Sequence, residues 1–126
     1  MERPPGGIRQ ISAVTLVTAD MRAAVSFYRA MGFETLYGGA DAPFTSYRVG
    51  DGYLNLQLDA AFTSGADVWG RVIFLVDDVD DVYARALDAG LAPEMPPADA
   101  PWGERYFHLR DRDGHELSFA RPLDSG

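Results

Sequence analysis

The chain has 126 residues, 47% of them hydrophobic and 24% charged, which fits one globular domain with a real core rather than a disordered segment. Its net charge of −8 argues against a nucleic-acid role, which needs clustered Lys and Arg, and no apolar run approaches the length of a membrane span. With no cysteine there is no disulfide, no thiolate metal site and no cysteine nucleophile. Together with an N-terminus that lacks a signal-peptide pattern, this predicts a cytoplasmic protein.

Residues 1–7, rich in proline and glycine, read as a flexible N-terminus, and 8–123 as a single domain. The first apolar strand covers Ile11–Val17. Asp20 is an N-cap for a helix running to Met31 and closed by Gly32, with Ala24, Phe27, Tyr28 and Met31 on one apolar face. Three strands follow: Phe33–Tyr37, Thr45–Val49 and Tyr53–Leu58, the last two joined by Gly50-Asp51-Gly52. A linker lies near Thr63–Asp67. The pattern then repeats, with a strand over Val72–Val76, a helix from Asp78 to Ala89 closed by Gly90, and strands over Leu91–Met95, Arg105–Arg110 and His115–Ala120. Asp111-Arg112-Asp113-Gly114 forms the final hairpin turn. The two sets of caps keep one spacing, 58 residues (20 to 78, 32 to 90), so the chain is two βαβββ modules, 8–62 and 68–123. The fold class is α+β. A proline- and alanine-rich loop, Pro93–Pro101, reads as a covering loop.

Tyr53-Leu54-Asn55-Leu56-Gln57-Leu58 alternates strictly, so one face packs on a core and the other turns Tyr53, Asn55 and Gln57 to a polar space. The same alternation places Ala13 and Thr15, Arg71, Tyr106 and His108, and Glu116 and Ser118 on the lining of a shared concavity. Trp102 supplies an aromatic wall from its loop. Amides, hydroxyls and aromatics in one space suit a small polar organic ligand. For Arg71, a salt bridge to Glu116 and a contact with an anionic ligand stand as equal alternatives. Trp102 fits packing under the proline-rich loop as well as it fits ligand contact. His108 reads as a hydrogen-bonded wall residue, and His115, beside a turn, as a solvated one. The aspartates at 77, 78, 80 and 81 lie where acidic residues cap a helix and favour its dipole.

Four stretches carry a family resemblance: Val14-Thr15-Leu16-Val17-Thr18-Ala19-Asp20, Phe27-Tyr28-Arg29-Ala30-Met31-Gly32-Phe33, Trp102-Gly103-Glu104-Arg105 and Asp111-Arg112-Asp113-Gly114-His115-Glu116-Leu117. In their order and in the repeat, the chain resembles the vicinal oxygen chelate superfamily of glyoxalases, bleomycin resistance proteins and extradiol dioxygenases. The resemblance implies sheets that form an incomplete barrel, usually in a homodimer. It also implies a metal bound through His or Glu on the first and fourth strands of each module. The matching positions here are Ala13, Asn55, Arg71 and Ser118. Alanine cannot ligate, arginine has the wrong sign, and an amide and a hydroxyl are weak ligands for such ions, so neither a metal nor another cofactor is expected. The nearest kind is then the metal-free binding protein that sequesters an antibiotic or a metabolite, similar to bleomycin resistance proteins. The alternatives are a lyase, isomerase or dioxygenase that uses a metal, and a metal-free enzyme using His108 or Glu116 for acid–base work. The expectation leans away from catalysis.

Overall fold

A computed structural model describes residues 6–64 and 69–123; residues 1–5 of the expected N-terminal segment, 65–67 of the expected linker and the first residue of the expected second module lie outside them. The elements are β1 (Ala13–Thr18), α1 (Met21–Ala30), β2 (Glu34–Tyr37), β3 (Phe44–Val49), β4 (Gly52–Leu58), β5 (Arg71–Leu75), α2 (Val79–Asp88), β6 (Ala98–Ala100), β7 (Glu104–Arg110) and β8 (Glu116–Pro122).

Both helices start and stop by the same chemistry. Asp20 and Asp78 adopt extended backbone, and each accepts the amide three residues on, Ala23 and Asp81, at 3.1 Å. At the far ends Gly32 and Gly90 have φ of +91° and +78°. The amides of Phe33 and Leu91 then reach back to the carbonyls of Tyr28 and Ala86 at 3.0 Å, and Gly32 and Gly90 to Arg29 and Leu87, a Schellman closure at each helix.

Each module forms a four-stranded sheet, ordered β1-β4-β3-β2 and β5-β8-β7-β6, with no closed barrel. β1 runs parallel to β4 and β5 to β8; the other neighbours are antiparallel. The expected alternation sets the faces. Leu54 and Leu56 are buried with Leu16 and Tyr47 against Ala24, Val25 and Tyr28 of α1, while Phe107, Leu117 and Phe119 join Val79 and Ala86 of α2 in the same continuous core. Phe33 and Phe74 meet edge to face at 5.1 Å and tie the halves together. At the start of β4, the Tyr53 amide donates to the Ser12 carbonyl, and a Cβ on Gly52 would lie 2.7 Å from that oxygen. Only glycine permits this approach.

The strand expected over Leu91–Met95 does not form. The short edge strand lies instead at Ala98–Ala100, inside the stretch expected to be a loop. Pro93, Pro96 and Pro97 lack amide donors, so the earlier segment makes a single ladder-like bond, from the Glu94 amide to the His108 carbonyl at 2.9 Å.

Candidate functional site

The strand register decides which side chains can meet on the face away from the helices. In the first sheet Ala13 lies beside Tyr53, Thr15 beside Asn55, and Val17 beside Gln57. Asn55 Nδ2 donates to Thr15 Oγ1 at 3.2 Å, so part of the amide's capacity is spent within the sheet. Arg48 lies next to Tyr53 across β3 and β4, its guanidinium carbon 5.4 Å from the phenol ring centre.

In the second sheet Arg71 and Arg110 flank Glu116, and Ile73 and His108 flank Ser118. Arg71 Nη2 donates to Glu116 Oε2 at 3.1 Å, and Arg110 Nε to Glu94 Oε1 at 2.9 Å. Burial pushes the Glu116 carboxyl up, but hydrogen bonding with Glu94 and the Arg71 contact outweigh it and hold the group below its ordinary value. His108 lies in the same cluster. Burial first, then the Arg71 charge, lower its imidazole pKa against the opposing pull of Glu116 and Glu94. Its Nδ1 is buried with no hydrogen-bond partner among the described residues. Glu116 and Ser118 are themselves almost fully buried, because β8 is a central strand covered by side chains from both neighbours.

A cavity of about 570 Å³ opens where the beginnings of β1, β4 and β5 approach one another. Of the residues expected to line a concavity, Tyr53 and Arg71 border it together with Ala13, while Thr15, Asn55, Gln57, Trp102, Tyr106, His108, Glu116 and Ser118 do not. Trp102 is instead exposed at the end of an aromatic row. Its ring is 5.8 Å from Tyr106, which is 5.0 Å from His108, and its indole donates to Glu104 at 2.9 Å. The cavity's further walls, Ile11, Trp69, Ile73 and Phe74, were not singled out from the sequence. Trp69 and Ile73 have the same strand parity as Arg71, and that parity was the signal available.

His115 is not solvated. It is 6% exposed, stacked on Phe62, and both ring nitrogens are engaged, Nδ1 by the Trp69 indole and Nε2 by the Val17 carbonyl, each at 2.8 Å. The turn before it folds back onto the first module. Asp113 Oδ1 accepts the Ala19 amide at 3.0 Å and Asp111 Oδ2 the Tyr28 hydroxyl at 2.7 Å, which draws the neighbouring His115 inside. Of the four aspartates, Asp78 caps the helix and Asp80 and Asp81 lie in its first turn, and Asp80 in addition pairs with Arg105 at 2.9 Å.

The positions where the resemblance would place metal ligands do not supply a donor set. Ala13 has no donor, Asn55 is tied to Thr15, Arg71 is a cation paired with Glu116, and Ser118 is buried between Ile73 and His108. Among the described residues no group of three His, Cys, Asp or Glu side chains is placed to hold an ion, and no helix is long and apolar enough to cross a membrane.

Solved structures share this architecture. A glyoxalase/dioxygenase from Nostoc punctiforme superposes with a TM-score of 0.81 at 16% identity, covering 98% of each chain. TioX from Micromonospora sp. ML1 is 28% identical with a TM-score of 0.71, over 91% of this chain and all of its own. A lactoylglutathione lyase from Agrobacterium tumefaciens is 22% identical with a TM-score of 0.71, over 89% and 92% of the two chains. No curated protein sequence matches. The family model of the Glyoxalase/Bleomycin resistance protein/Dioxygenase superfamily matches residues 10–119, and the chain belongs to that superfamily.

Proposed function

We propose that the chain is a small-molecule-binding protein that grips an organic ligand through its own side chains rather than through a metal, sequestering an antibiotic or metabolite as a cytoplasmic homodimer. The observation that carries this reading is the chemistry at Ala13, Asn55, Arg71 and Ser118, which offers no anionic or imidazole donor. The cavity beside Ala13 and Arg71 has the volume of a small-ligand site. Elemental analysis of protein purified without added ions should find no stoichiometric zinc, nickel, iron or manganese; stoichiometric metal at the cavity would overturn the reading. A thermal-shift screen with bleomycin-type and other small polar drugs tests sequestration, and the expected result is stabilisation by at least one class.

The homodimer is supported by Leu75, which leaves 78% of its surface exposed on edge strand β5. Sedimentation equilibrium should give a dimer, and Leu75→Glu a monomer.

A second reading, metal-free acid–base catalysis, draws on His108, whose unpartnered Nδ1 lies in one cluster with Glu116. On that reading Glu116→Gln abolishes a turnover that chelators leave untouched.

A further inference from the structure

The cavity's lining also says what kind of ligand it takes. We infer that it accepts an amphipathic anion, an apolar and preferably aromatic body carrying one carboxylate or sulfonate group. The inference rests on the binding reading above and names the ligand class for that site.

The walls are aliphatic or aromatic around most of the circumference, with Phe74 within and Ile11, Trp69 and Ile73 toward the opening. Such a lining rewards an apolar body of one or two rings, and the exposed indole of Trp69 offers an aromatic surface to pack against it. Against this, Arg71 is the one charged residue that borders the cavity among the described residues. Its side chain remains 42% exposed, whereas its partner Glu116 is 7% exposed and lies behind it on the central strand. Glu116 engages Nη2 alone. The remaining donors of the fork are what an anion at the cavity would meet, in the geometry that carboxylates and sulfonates match. A cationic ligand would place like charges together there. The net charge of −8 opposes an anion at long range, but salt screens that field beyond about 8 Å at physiological ionic strength, while a direct contact with Arg71 is screened far less.

Isothermal titration of the full chain with three naphthalenes of nearly one shape decides the matter: 1-naphthalenesulfonate, 1-naphthalenemethanol and 1-naphthylmethylammonium. The sulfonate should bind about tenfold tighter than the alcohol, and the ammonium most weakly. Arg71→Gln should lower sulfonate affinity to that of the alcohol and leave the alcohol unchanged. Ile11→Glu, at a rim position that is 80% exposed, should weaken the sulfonate and strengthen the ammonium, and it decides the question if Arg71→Gln fails to fold. Equal binding of all three, tightest binding of the ammonium, or a sulfonate preference that survives Arg71→Gln would overturn the anion assignment and leave the binding reading standing. No binding of any of the three to the folded chain would overturn the anion assignment, and the thermal-shift screen above then decides the binding reading separately.

Discussion

Asp111 shows how one carboxylate can hold two modules together at a cost. Oδ2 accepts the Tyr28 hydroxyl and Oδ1 accepts the amides of Asp113 and His115, so both oxygens are engaged. Burial nevertheless dominates and raises its pKa, only partly offset by the Tyr28 bond and the other contacts. A carboxyl whose folded pKa lies above its unfolded one favours folding when protonated. Its contribution is therefore complete below about pH 3.8 and is lost as pH rises through the folded value. Asp111→Asn should make stability less dependent on pH above 3.8, measured by urea denaturation across a pH series. Tyr28→Phe leaves Oδ2 without its donor and should cost about 1–3 kcal/mol at neutral pH. His108 works in the opposite sense. Its depressed pKa means the neutral ring is favoured in the fold, so stability is complete above the ordinary value of 6.5 and is lost as pH falls through the folded value. Because the Arg71 charge contributes to that depression, Arg71→Gln should move the His108 titration upward, read from its ring proton by NMR.

At the scale of elements, the matched helix ends permit a controlled comparison. Gly32 and Gly90 share a left-handed conformation, but a Cβ at Gly90 would meet nothing within 4 Å among the described residues, while one at Gly32 would lie 3.3 Å from the Arg85 guanidinium. Gly90→Ala should therefore cost about 1–2 kcal/mol from backbone strain alone, and Gly32→Ala somewhat more, by thermal or chemical unfolding. These ends were legible in the sequence because caps and Schellman turns are local chemistry, written within six residues of Asp20, Gly32, Asp78 and Gly90. The faces of β4 were legible for the same reason, since Leu54 and Leu56 alternate with Asn55 and Gln57. Of the three misses, one was local and two were non-local. Leu91–Met95 has a strand's apolar pattern, yet the prolines within and after it remove the ladder donors, and pairing passes to Ala98–Ala100. Parity with Arg71 gave the face of Trp69 and Ile73, but that Ile11 joins them in one cavity depends on how the beginnings of β1 and β5 approach, which no spacing along the chain records. His115 looked solvated because a turn precedes it. Only the return of that turn onto Ala19 and Tyr28 shows why it is inside.

On the scale of the whole molecule, His115 acts as a clasp, linking Val17 in the first module to Trp69 at the entry to the second. His115→Phe keeps the stacking on Phe62 but forfeits both bonds, and should destabilise the chain by about 1–3 kcal/mol while changing the fluorescence of Trp69. The sheet order has a consequence for synthesis as well. In each module the strand made last, β4 or β8, occupies a central place, and among the described residues the strand made first, β1 or β5, pairs with it alone. A nascent chain emerging from the ribosome therefore cannot extend either sheet outward from its first strand. β1 must wait about 40 residues for β4, as the Thr15–Asn55 contact spans, and β5 about 45 for β8, as the Arg71–Glu116 contact spans. During that wait the apolar edges of β1 and then β5 stand open to other chains. Translation arrested before β8 should thus leave Phe74 and Phe107 without the Phe119 ring that both stack on, and such a chain should be captured by chaperones where the finished one is not.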